Sequence, residues 1–235
     1  DSEGQLIASV LSKKAAAGST HVVIDIPVGE TAKVRSMEMA QKLKSHMETV
    51  GNSIGLNVKV IITDGTQPVG RGIGPSLEAL DLLSVLKNEK NAPQDLKERA
   101  ILIAGELLEL SGKVEIGSGN ETAKHLLESG KAFKKFLAIC KAQGRYTEPV
   151  LAPYKIEIKA EKSGVLTRID NRKIAKLAKL SGAPHSKSAG ILLNTHLGEK
   201  IEENQVLYTL FAESKGELNY ALEYENNHNN ILTIT

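Results

Sequence analysis

The sequence predicts an α/β protein, a parallel sheet with covering helices, followed by a small α+β carboxyl-terminal domain. Three observations carry that prediction. A strand, helix, strand alternation runs from His21 to Ile62, a glycine-rich turn then opens a series of amphipathic helical segments, and beyond Pro149 and Pro153 the pattern switches to short strands. The helical opening is read as residues 1–18, the α/β domain as 19–145 and the α+β domain as 154–235.

Gln5–Ala17 places Leu6, Ile7, Val10, Leu11 and Ala15 at helical spacing, with Gly18 as the residue that ends the helix. His21–Ile26 (HVVIDI) is a continuous apolar run of strand length. Ser36–Ile54 is helical, with Met37, Ala40, Leu43, Met47, Val50 and Ile54 along one face, and Leu56–Ile62 is the next strand. Strand, helix, strand makes a βαβ unit, whose strands pair in parallel. Leu77–Leu86, Asp95–Leu110, Glu121–Glu128 and Ala132–Gln143 follow as helices, interrupted at Gly112, Gly117, Gly119 and Gly130. Ser118 or Asn120 caps the helix that begins near Glu121. In the second region Tyr154–Ala160 alternates apolar and charged residues, Gly164–Ile169 is a strand, and Asn171–Leu180 is an amphipathic helix. Ala189–Leu193, Val206–Phe211 and Leu232–Ile234 complete the strands. The run from Gly190 to Glu213 resembles a barrel sandwich of the lipoyl type, without a lysine in the exposed hairpin that such carriers modify.

Composition narrows the function classes. Thirty basic against 28 acidic side chains give a formal charge of +2, which is no footprint for a nucleic-acid polymer or an anionic membrane. No apolar run reaches membrane length. The single cysteine, Cys140, cannot form an internal disulfide and lies in an apolar helical pattern, where a packed thiol is expected. A cytoplasmic setting fits. The six histidines, His21, His46, His125, His185, His196 and His228, form no pair at metal-ligand spacing. The first residues, DSEGQ, are neither a start methionine nor a signal peptide, so the chain reads as a piece of a longer protein.

The stretch Ile61–Asp81 is the most informative. A strand ends abruptly, Gly70, Gly72 and Gly74 alternate, Pro75 stands where a first helical residue belongs, and an acidic amphipathic segment follows. A loop of this kind at the carboxyl end of a strand is either a binding feature or simply a tight turn. Its spacing gives neither the G-x-G-x-x-G fingerprint nor a phosphate-cradling P-loop.

These residues resemble the thymidine phosphorylase and AMP phosphorylase family of pentosyltransferases. The resemblance is carried by DSEGQLIASVLSKKAAAG (Asp1–Gly18), VVIDIPVGETAKV (Val22–Val34) and TDGTQPVGRGIGPSLEA (Thr63–Ala79), with a looser match in the carboxyl-terminal module. The form DIPVG at Asp25–Gly29 is similar to the long, type 2 branch. The resemblance implies phosphate-dependent cleavage of a nucleoside N-glycosidic bond, as in thymidine plus phosphate giving thymine and 2-deoxyribose 1-phosphate. The alternative within the family is phosphorolysis of AMP or another nucleoside monophosphate. Inorganic phosphate is then the co-substrate, no organic cofactor is implied, and the family forms homodimers.

The resemblance also assigns residues. Ser9 and Lys13 match the family's base-binding serine and lysine, and their i, i+4 spacing puts both on one helical face. Without it, a serine and a lysine on a solvated face would be the plainer reading. Val69, Gly72 and Asp81 match positions that hold a monovalent cation, K+, in related pyrimidine enzymes; otherwise Asp81 is an exposed carboxylate near a helix start. The phosphate-binding segment and the general acid of the family lie upstream of Asp1, so no catalytic residue is assigned here and these 235 residues alone are expected to be inactive. Gln5–Ala17 is then expected to show an exposed apolar face. A reading of another class is a non-catalytic interaction module, for which Ser9 and Lys13 would have no reason to stand together. A phosphoribosyltransferase with a diphosphate and Mg²⁺ site is disfavoured by the lack of a suitable acidic pair.

Overall fold

The computed structural model describes residues 3–228 and 230–235. It divides into two compact units, one of residues up to Gly65 with Glu98–Ser129, the other of Thr66–Lys97 with Gly130–Thr235.

In the first unit, helix α1 (Glu3–Ala16) is followed by strand β1 (His21–Val28), helix α2 (Met37–Ser53) and strand β2 (Asn57–Asp64). β1 and β2 pair in parallel from His21 opposite Asn57 to Val28 opposite Asp64. Ser36 caps α2, its Oγ accepting from the Met39 amide. Ala40, Leu43 and Met47 of α2 form one buried cluster with Val22, Ile26, Val58 and Val60 of the strands. That cluster also takes Ile7 and Leu11, with Leu6 and Val10 packed against it. The apolar stripe of α1 is therefore covered, contrary to the exposed face expected from the sequence, because α2 and the strand pair offer a surface that accepts it. Gly18 ends α1 at φ +72°, with the Ser19 amide returning to the Lys14 carbonyl.

The chain continues through strand β3 (Gly72–Ile73), helix α3 (Pro75–Leu86), helix α4 (Gln94–Leu110) and helix α5 (Gly119–Glu128). Among the described residues the parallel sheet has only two strands, and the other sheets are antiparallel. α4 buries only Gly105, and a Cβ on Gly105 would meet the Asn120 amide nitrogen at 2.7 Å, so glycine permits this approach of α4 to α5. Ser118 occupies the N-cap of α5 without capping it; instead Glu109 Oε1 accepts from the amides of Gly117 and Gly119 at 3.0 and 2.9 Å. A carboxylate from α4 thus does the work expected of Ser118 or Asn120, and it suits the positive end of the helix better.

In the second unit come helix α6 (Lys131–Ala142), strands β4 (Tyr154–Lys159) and β5 (Gly164–Ile169), helix α7 (Asn171–Leu180), strands β6 (Gly190–Leu193), β7 (Lys200–Ile201) and β8 (Val206–Ala212), helix α8 (Lys215–Asn226) and strand β9 (Leu232–Ile234). One sheet has the order β3-β6-β8-β4, the other β7-β5-β9. Leu166, Ile169, Ile174, Leu177, Ile191 and Leu210 form the centre of its core, each no more than 2 % exposed. Asp170 caps α7 through the amides of Arg172 and Lys173. α6 buries none of its residues, and Cys140 is only half-buried, so the packed thiol expected there is not found.

Candidate functional site

α1 carries the first candidate pair. Ser9 and Lys13 are both exposed, one helical turn apart, on the side away from buried Ile7 and Leu11. Among the described residues neither side chain is held by a hydrogen bond or an ion pair. The helix below them is anchored at its start by Glu3, which pairs with Lys42 at 2.9 Å and with His46, both from α2. The Lys42 hydrogen bond, above all, holds the Glu3 carboxyl below its ordinary pKa. A free ammonium and a free hydroxyl on a fixed helix can present donors to the polar edge of a planar ligand.

At the carboxyl ends of the parallel strands lies a polar cluster that the sequence reading did not assign. Asp25 Oδ1 accepts from Thr63 Oγ1 at 2.6 Å, and Asp25 Oδ2 accepts from Arg99 Nη1 at 2.7 Å. Arg99 Nη2 also donates to the Asp64 carbonyl at 2.9 Å. Asp25 and Arg99 side chains are only 18 % and 17 % exposed, so the pair is largely withdrawn from water. Asp25 was visible in the sequence as the charged residue inside an apolar strand; its partner, 74 positions away, carried no local signal.

The glycine loop and α3 supply the third element, in the second unit. Asp81 is half-buried in the second turn of α3, and its Oδ2 accepts from the amides of Arg71 at 2.6 Å and Gly72 at 2.7 Å. Asp95 Oδ2 accepts from the Gly70 amide at 2.9 Å. Three successive amides are thereby fixed by carboxylates. Asp81 lies near the helix start as the plainer reading had it, but is not exposed. Gly70 has φ +84°, and a Cβ there would sit 2.7 Å from Asp81 Oδ2, so only glycine allows the carboxylate this close. Gly72 faces Leu192 in β3–β6 while the Leu193 amide bonds to Arg71 O, which makes Gly72 a non-hydrogen-bonded pair. Its amide and its carbonyl both point away from β6. Arg71, Asp81, Ser84 and Asn194 are among the residues that line a cavity of ≈ 440 Å³.

Among the described residues no group of three or more His, Cys, Asp or Glu side chains could hold a metal ion, and no helix is long and apolar enough to cross a membrane. Val69, Gly72 and Asp81 offer oxygen donors only: two carbonyls and one carboxylate that already accepts two amide hydrogens. Such a set fits a weakly held hard cation and no softer metal.

Residues 165–231, which include α7, β6, β7, β8 and α8, match the family model described as the pyrimidine nucleoside phosphorylase C-terminal domain. Over its whole length it is similar to proteins named "Putative thymidine phosphorylase". That of Legionella pneumophila (strain Corby) is 59% identical over 223 residues, covering 95% of this chain and 43% of the relative. That of Hahella chejuensis is 53% identical over 234 residues, covering 100% of this chain and 46% of the relative, and that of Maricaulis maris is 54% identical over 224 residues. The chain spans less than half the length of these relatives. The resemblance to the thymidine phosphorylase family read from Asp1–Gly18 and Thr63–Ala79 stands on these similarities as well.

Proposed function

We infer that this chain is part of a nucleoside phosphorylase of the pentosyltransferase class, acting on a pyrimidine nucleoside such as thymidine with inorganic phosphate as co-substrate. The observation that carries the reading is the unengaged Ser9–Lys13 pair on α1, in a chain 59% identical to a protein named for thymidine phosphorylase. As the N-glycosidic bond breaks, the sugar becomes oxocarbenium-like and the departing base gains negative charge. Lys13 Nζ donates a charged hydrogen bond to the base and Ser9 Oγ a neutral one, and both strengthen as that charge develops. The Asp25–Arg99–Thr63 cluster holds the ends of β1 and β2, fixing the frame that carries α1.

Val69, Gly72 and Asp81 would hold K+, whose role is to neutralise and stiffen the glycine loop. Phosphate and the proton for the leaving base are handled outside the residues singled out here. The full-length enzyme acts as a cytoplasmic homodimer.

The test is phosphate-dependent release of free base from thymidine, uridine, AMP and CMP by the full-length parent, alongside its Lys13→Ala variant. The expected result is release from thymidine or uridine and a fall in kcat/KM of about 10²–10³ in the variant. Release from AMP or CMP alone would replace the nucleoside with a nucleotide substrate. No release by a folded parent, or an unchanged Lys13→Ala variant, would overturn the reading.

A further inference from the structure

The carboxyl-terminal unit contains a cleft of ≈ 560 Å³ between the end of β4, the start of β8, the end of α8 and β9. It shares no residue with Ser9, Lys13 or the glycine loop. At its floor Tyr208 is 1 % exposed, and its hydroxyl donates to Glu225 Oε1 at 3.2 Å. That bond fixes the carboxylate, and among the described residues no donor reaches Oε2. Leu207 and Ile231, both buried, form apolar wall. The His228 ring adds a flat face, stacked on Tyr224 with centroids 4.0 Å apart and its Nδ1 bonded to the Tyr224 carbonyl. On the rim stand Lys159 and Lys162, exposed and in no ion pair with the described residues, with exposed Glu161 between them.

We propose that this cleft binds a small planar ligand with adjacent N–H donors at one end and an anionic group at the other, the chemistry of a guanine mononucleotide. The carboxylate oxygens of Glu225 match the N1–H and exocyclic N–H of guanine, a paired acceptor against a paired donor. The planar ring lies against His228 and the aliphatic wall, and the phosphate meets Lys159 and Lys162 as charge-assisted partners. A ligand with only a cationic head would bring its charge up to two free ammonium groups, and one with only an anionic head would leave Glu225 bare. Burial, opposed by the Tyr208 hydrogen bond and reinforced by the Glu161 charge, raises the Glu225 pKa, so two incoming N–H donors relieve a carboxylate that the fold leaves poorly solvated.

Calorimetric titration of the 235-residue chain with GMP tests the site, with guanosine, AMP and inorganic phosphate as comparators. GMP is expected to bind saturably, with guanosine and AMP at least about tenfold weaker, since each lacks one of the two recognised ends. Glu225→Gln and the pair Lys159→Ala with Lys162→Ala should each weaken GMP about tenfold or more, while Lys13→Ala leaves its affinity unchanged. Glutamine keeps an acceptor for Tyr208 and both lysines are exposed, so the variants fold; should Glu225→Gln fail to fold, the lysine pair decides. Absence of saturable GMP binding, equal affinity for AMP, or loss of binding in Lys13→Ala rather than in the cleft variants would overturn the proposal.

Discussion

Removing the Asp81 carboxylate should destabilise the second unit by about 2–4 kcal/mol. The magnitude follows from the two amides of Arg71 and Gly72, which it accepts at 2.6 and 2.7 Å. Hydrogen bonds to a charged group contribute about 1.5–3 kcal/mol each, and the adjoining cavity lets water reclaim part of that loss in Asp81→Ala. Asp81→Asn keeps one acceptor oxygen without its charge and should lose about half as much. Gly70→Ala sharpens the test, because its Cβ would fall 2.7 Å from Asp81 Oδ2. Part of the Gly70→Ala penalty is the left-handed backbone, about 1 kcal/mol, and remains whatever stands at 81. The rest is the collision with the carboxylate, and it disappears in the Asp81→Ala background. Urea unfolding of the four proteins in a double-mutant cycle, followed by far-UV circular dichroism, should give a coupling of about 1 kcal/mol or more. A loss below about 0.5 kcal/mol for Asp81→Ala, or strict additivity with Gly70→Ala, would refute the account of how this loop is held.

Arg99→Met strips two donors from the ends of β1 and β2 and leaves a largely buried Asp25 with Thr63 alone, at a cost of about 2–4 kcal/mol in urea unfolding; adding Asp25→Asn should recover part of it. Ser214→Ala should cost about 1 kcal/mol, read as a lower Tm, because Ser214 Oγ accepts from the Glu217 amide and donates to the Glu217 carboxylate at the start of α8. For Glu225, burial raises the folded pKa above 4.5, so protonation favours the fold and that contribution is lost as pH rises through the folded value. The Tm of Glu225→Gln should therefore exceed that of the parent chain at neutral pH, with the difference closing below about pH 4.5; a pH-independent difference would contradict it.

Local periodicity revealed what depends on local chemistry. The βαβ unit was legible because α2 carries its apolar residues at helical spacing while β1 and β2 are apolar runs of strand length, and α7 was legible to its exact bounds between Asp170 and Ser181. The two-residue strands β3 and β7 were not, because their extended form comes from partners far along the chain rather than from propensity. α8 was missed although Ser214-Lys-Gly-Glu217 is a capping box, a signal present in the sequence and passed over. The site was half legible. Ser9 and Lys13 are proposed through resemblance, whereas the amide-binding role of Asp81 and the Arg99 clamp depend on tertiary geometry that no spacing reports.

The pairing of Gly72 with Leu192 has a consequence for synthesis. Asp81 and Asp95 fix the amides of Gly70, Arg71 and Gly72 from close by in the sequence, but the strand partner of β3, β6, is made only 120 residues further on. At about 5–20 residues per second, α3 and its loop wait on the order of ten seconds on the ribosome with an unfilled strand edge and the apolar residues Leu77 and Ile73 uncovered. The interval makes Thr66–Lys97 a natural client of chaperones that bind nascent chains, and a stop codon before Gly190 a lesion that removes the strand partner of a segment far upstream of it.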